Sequence, residues 1–185
     1  MKTGLIILDM LEDFVHGVLA NPAAKDIVEP ITVLADEARR RDDWLVIYGN
    51  DAHRPGDFEF AVFGEHALAG SPGARVIPEL RPEADDIIVP KRNYSAFSGT
   101  DLDTTCRVHD LGRVVIVGQH TDCCCRHTAY DAFRRGIEVT VVRDATCVYQ
   151  PATEGGYEQH QQAALAYLQN FYNADVMTAR AVVHP

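Results

Sequence analysis

Short apolar runs alternate along the chain with longer stretches whose apolar positions recur at helical spacing. The runs cover residues 3 to 9, Trp44 to Tyr48, Asp86 to Pro90, Val114 to Val117, Ile137 to Val142 and Asp175 to Met177. Val114 to Val117 is continuous and β-branched, which suits a strand buried on both faces, whereas Asp175 to Met177 reads as an edge strand. Between the runs, Ile27, Ile31, Leu34, Ala35 and Ala38 give an amphipathic helix from about Asp26 to Arg41, in which Pro30 is tolerable only near the first turn. Thr100 or Asp101 caps a helix running to about Leu111, another starts near Cys123 and closes at Gly136, and a long one spans Glu154 to Tyr172. Residues 15 to 24, with Gly17, Asn21 and Pro22, read as a loop. This alternation predicts an α/β chain with one domain over residues 1 to 185: a Rossmann-like three-layer α/β/α sandwich around a mainly parallel, six-stranded sheet.

In such a sheet ligands bind at the carboxyl edge, where Asp9, Asp51, His53, Lys91 and Cys124 all fall, and Asp144 is expected at the end of the fifth strand. Cys123, Cys124 and Cys125 occupy the first turn of the helix that follows Gly118. Unpaired N–H groups and the helix dipole favour a thiolate there, so a cysteine in that turn is a candidate nucleophile. Packing of free cysteines between helix and sheet is the competing reading. Adjacent side chains on a helix diverge by about 100°, which makes three contiguous cysteines a poor metal site. Asp51, His53 and the distant His66 supply one carboxylate and two imidazoles, ligand types suited to zinc or another borderline divalent ion. Residues of these types also cap turns, as Asp9 would at the end of its strand.

Composition narrows the partners. With 185 residues, 46% hydrophobic and 24% charged, the chain can bury a core without staples. A net charge of −10 argues against a nucleic-acid footprint, and no apolar run is long enough to span a membrane. Met1 to Asp9 reads as a first strand and not as a signal peptide. Five cysteines, an odd count with three contiguous, make a poor disulfide framework and point to a reducing, cytoplasmic setting. The expected partner is a small molecule.

Three separated motifs then occur in order: Leu8-Asp9-Met10 with Asp13-Phe14; Lys91 followed by Tyr94-Ser95-x-Phe97 and Gly99-Thr100-x-Leu102; and Gly118-x-x-Thr121-Asp122-x-Cys124-x-x-x-Thr128-Ala129. Together they resemble the isochorismatase-like cysteine hydrolases, most of all nicotinamidases and N-carbamoylsarcosine amidase relatives, over nearly the whole chain. The resemblance implies a triad of Asp9, Lys91 and Cys124, with Cys123 and Cys125 at variable positions. It also implies a cis peptide between Gln119 and His120, and an oxyanion hole made by the backbone N–H groups of His120 and Cys124. A substrate pocket with Phe14, Phe63 and Tyr94, a divalent metal such as zinc on Asp51, His53 and His66, no organic cofactor and a homo-oligomeric state complete what it implies.

Leu11 stands where many members have glutamine, Gln119-His120 replaces a more usual small apolar pair, and Phe63 falls where nicotinamidases often carry tryptophan. The loop between His53 and His66 is also shorter than in the typical nicotinamidase. Lys91, the helix N-terminus and Asp9 are expected to favour the Cys124 thiolate. The expected activity is release of ammonia from a small, nicotinamide-like carboxamide through a Cys124 thioester, with an N-carbamoyl compound as the alternative substrate. Isochorismatase-type vinyl ether hydrolysis, which needs no cysteine nucleophile, and a binding homologue without turnover are the rivals.

Overall fold

The computed structural model describes residues 1–149 and 156–184. Its elements run β1 (Lys2–Leu8), α1 (Glu12–Val15), α2 (Val28–Arg39), β2 (Trp44–Asp51), α3 (Phe60–Phe63) and β3 (Ile87–Lys91). They continue through α4 (Leu102–Val108), β4 (Leu111–Gln119), α5 (Cys124–Phe133), β5 (Glu138–Cys147), α6 (Gly156–Tyr172), β6 (Asp175–Met177) and α7 (Ala179–Val183). The six strands form one sheet in the order β3-β2-β1-β4-β5-β6, and every neighbouring pair is parallel.

Continuous apolar strands bury both sheet faces because successive side chains point to opposite sides. Leu5, Ile7, Val46, Tyr48, Val115 and Val117 pack with Ile31, Leu34, Ala35 and Ala38 of α2 and with Ala179 and Val182 of α7. Ile6, Leu8, Ile47, Val114 and Ile116 pack on the other side with Leu102 and Cys106 of α4, Ala129 and Ala132 of α5, and Leu168 of α6. This is the expected three-layer arrangement, with the sheet parallel throughout.

Several boundaries differ from expectation. The loop assigned to residues 15 to 24 holds the end of α1 and a single-turn helix at Pro22–Lys25, whose first N–H groups include Ala23, held by the Asn21 side chain at 3.2 Å. α4 stops at Val108, and Leu111 already belongs to β4. Glu154, the expected start of the long helix, lies outside the described residues. Asp144 does not end the fifth strand: the pairing of β4 with β5 jumps from Ile116↔Val141 to Gly118↔Thr146, and the strand continues to Cys147. Exposed Arg143 and Asp144 sit in that irregularity, where an extra stretch of one strand bulges away from its partner.

Candidate active site

Four neighbouring strands, the edge strand β3 and the inner strands β2, β1 and β4, deliver the site residues at their carboxyl ends. Asp9 follows β1 directly and adopts a left-handed φ of 52°, which aspartate tolerates better than most side chains. Gly118 near the end of β4 has φ 99°, and a Cβ there would lie 2.1 Å from the Leu8 carbonyl oxygen, so glycine lets β4 pass against the end of β1. The buried Gln119 amide donates to the Asp9 carbonyl at 3.1 Å, and the Asp51 N–H donates to Asp9 Oδ1 at 2.8 Å. Asp9 is thus held by its two flanking strands, its backbone carbonyl by β4 and its carboxylate by β2.

Lys91 ends β3 and reaches under the sheet edge with only 1% of its surface exposed. Its Nζ lies 2.8 Å from Asp9 Oδ2, 2.5 Å from Asp51 Oδ1 and 3.5 Å from Cys124 Sγ. Burial opposes the charge on Lys91, but Asp51 and Asp9 overcome it and hold the ammonium well above its ordinary pKa. Burial, then the Asp51 carboxylate, push the Asp9 carboxyl up to about 6 against the pull of Lys91. Cys124 departs from the expected thiolate. A hydrogen bond with Cys123 and burial raise its thiol well above the usual value, outweighing Lys91. The thiol is thus favoured in its protonated form, close to Asp9.

A second cluster shares Asp51. Its Oδ1 is taken by Lys91, while Oδ2 faces His53 Nε2 at 3.5 Å and His66 Nε2 at 4.0 Å. Glu59 closes the group, 3.8 Å from His53 Nε2 and 3.7 Å from His66 Nε2. Asp51 Oδ2, His53 Nε2 and His66 Nε2 are buried without a hydrogen bond among the described residues. The outer nitrogens are occupied: His53 Nδ1 pairs with Asp57 Oδ2 at 3.0 Å and His66 Nδ1 with the Gly64 carbonyl at 2.8 Å. Two imidazoles turned so that bare nitrogens face two carboxylates, with all four donor atoms within 4.8 Å of one another, fit a borderline divalent ion.

Residues 3–181 match the isochorismatase domain. The chain belongs to the isochorismatase family. Among solved members, the N-carbamoylsarcosine amidase of Thermoplasma acidophilum is 36% identical, with a TM-score of 0.86 and coverage of 97% of each chain. The nicotinamidase PncA of Bacillus subtilis is 27% identical, with a TM-score of 0.84 over 96% of this chain and 100% of that one. A pyrazinamidase of Pyrococcus horikoshii, solved in complex with zinc, is 26% identical, with a TM-score of 0.85 over 96% and 99% of the two chains. A probable inactive nicotinamidase of Arabidopsis thaliana is 30% identical over 163 residues, 81% of this chain and 83% of its own. The protein is therefore a hydrolase of the isochorismatase family, whose amidase members share its fold.

Within this family fold, the cavity over Cys124 is lined by Asp9, Phe14, Asp51, Glu59, Phe63, Gln119, His120 and Cys123. The Gln119–His120 peptide is cis. Tyr94 lies in the neighbouring open groove, its ring 5.2 Å from that of His127, and does not line this cavity. Sequence reasoning missed Glu59, which stands just before the four-residue α3 with no spacing motif to mark it. It also missed Asp57, bridging His53 to Arg92. Asp13, part of the first motif, accepts from the Ala67 N–H at 2.8 Å and fixes the turn after His66. Tyr149 is a further omission: its ring packs 5.6 Å from Phe63 and 5.0 Å from His120. None of the three departs from ordinary loop composition.

Proposed function

We propose that this protein releases ammonia from a small, planar carboxamide of the nicotinamide type through a Cys124 thioester. The observation that carries the reading is the convergence of Asp9, Lys91 and Cys124 around one buried ammonium, 2.8 Å from the carboxylate and 3.5 Å from the sulfur. A carboxyl with a pKa raised to about 6 is ionised at neutral pH yet matched to accept a proton, which suits Asp9 as general base for the Cys124 thiol. As the thiol loses its proton to Asp9, Sγ attacks the amide carbonyl. The His120 carbonyl accepts from the amides of Cys123 and Cys125 at 3.0 and 3.1 Å, leaving the amide of Cys124, with that of His120, for the developing oxyanion. Asp9 returns the proton to the departing amine, and then draws one from the water that releases the acid. Lys91 keeps its charge throughout and stabilises both the carboxylate and the transient thiolate.

Asp51, His53, Glu59 and His66 would hold the divalent ion. Bound there, such an ion would supply an open position for a ring nitrogen and so orient the substrate. This neighbouring four-ligand cluster and the aromatic walls of Phe14 and Phe63 favour a ring carboxamide over an N-carbamoyl amino acid. The deciding experiment is ammonia release by purified protein from nicotinamide, pyrazinamide and a set of N-carbamoyl amino acids. The reading expects turnover of the ring compounds first; turnover confined to the carbamoyl set would replace it with a carbamoyl amidase, and no turnover at all with a binding homologue.

A further inference from the structure

One polar group in the Cys124 cavity has no part in the chemistry above. The His120 side chain is only 7% exposed, and its Nε2 is buried without a hydrogen-bond partner among the described residues. Its ring is wedged edge-on to Phe14 at 5.9 Å and tilted against Tyr149 at 5.0 Å, so packing on both sides fixes its plane. Phe14 separates it from the candidate metal ligands, its ring also standing 5.3 Å from that of His66. A buried polar atom left without a partner costs free energy, and proteins retain such atoms where a ligand supplies the partner.

We propose that His120 is a specificity-determining residue whose buried imidazole nitrogen hydrogen-bonds a second polar atom of the substrate, a ring nitrogen or ring hydroxyl distinct from the atom that faces Asp51, His53, Glu59 and His66. The inference rests on the ring-carboxamide reading and narrows its substrate class to planar heteroaromatic carboxamides with two polar ring positions. Burial pushes the His120 imidazole down to about 3, so the ring is neutral at physiological pH and offers either an N–H donor or a bare nitrogen acceptor, according to its tautomer. It can therefore meet a ring hydroxyl as acceptor or a ring nitrogen as donor. An anionic substituent gains no ion pair from it.

The test compares kcat/KM for nicotinamide with those for pyrazinamide and a set of hydroxynicotinamides, in wild type and in His120→Phe and His120→Asn. Nicotinamide serves as the internal reference, and the readout is the ratio of each compound to it. In wild type at least one doubly polar compound should exceed nicotinamide by roughly 10- to 100-fold, the range expected when a buried donor or acceptor gains its partner. His120→Phe keeps the bulk and should erase that ratio, mainly through KM, while His120→Asn should restore part of it. A wild-type ratio near one, or variants that lower every ring compound by the same factor, would overturn the inference while leaving the ring-carboxamide reading intact. A wild-type protein that releases ammonia from no ring compound would remove that reading and this inference together. Should His120→Phe fail to fold, the ratio in His120→Asn decides alone, an unchanged ratio counting against the inference.

Discussion

The three contiguous cysteines fall into three environments within one helical turn. Cys125 is fully buried in the core between α5 and the sheet, Cys124 lies at the base of the cavity and Cys123 is half-buried on its wall. Cys124→Ala should therefore reduce ammonia release to background, whereas Cys123→Ala retains turnover, and mass spectrometry after an electrophilic carboxamide analogue should place the adduct on Cys124. An adduct on Cys123 would refute the assignment. Asp9→Asn should lower kcat about 10²- to 10⁴-fold while the protein stays folded, because asparagine shares the tolerance for a left-handed backbone at that position. Lys91→Ala is a different kind of change. It leaves Asp9 and Asp51 facing one another in a buried site, and removing one partner of such a group costs about 3–5 kcal/mol. Urea denaturation should register that loss alongside the loss of activity. The sequence marked Lys91 as a strand-end lysine, but only the packed site reveals that it is also a stability element.

At the scale of elements, the strands were legible because parallel strands buried on both faces are written as unbroken apolar runs. The bulged half of β5 was not, since exposed Arg143 and Asp144 interrupt the run while the backbone pairing resumes beyond them. Of the candidate metal cluster, Asp51, His53 and His66 were readable from ligand type and motif. Glu59 was not, because its approach depends on how the segment between β2 and His66 folds back. That segment is braced from outside by Asp57, which accepts from Arg92 and pairs with His53 Nδ1. Asp57→Ala should weaken divalent-ion binding roughly 10- to 100-fold, as loss of an outer partner of a histidine ligand does, and competition with a chromogenic chelator measures it. Unchanged affinity would show that Asp57 serves the loop alone. Gly118→Ala should destabilise the protein by at least about 2 kcal/mol, since it adds a left-handed penalty to a clash with the Leu8 carbonyl.

For the whole molecule, pH should act through His120. Its imidazole has an ordinary pKa of 6.5 and a folded value of about 3, so between those limits the unfolded chain binds a proton that the folded site refuses. Stability is undiminished by this group above pH 6.5 and is lost progressively as pH falls toward 3. Asp9, raised to about 6, works in the opposite sense over part of the same window, so the difference between wild type and His120→Phe isolates the histidine. Urea midpoints at pH 7 and pH 4.5 should fall less in the variant, and parallel losses would refute the assignment. The order of the strands has a further consequence for where the molecule can breathe. Asp9 and the turn before Cys124 hang from the inner strands β1 and β4, and Lys91 from the edge strand β3 packed on β2, whereas the segment between His53 and His66 runs largely exposed with one short helix. Amides of β1 and β4 should exchange with deuterium only through global unfolding, while those of residues 54–65 exchange through local opening at far lower free energy. The reacting groups then keep their arrangement while the wall beside them opens, giving substrate and ion a route in and out that never dismantles the nucleophile.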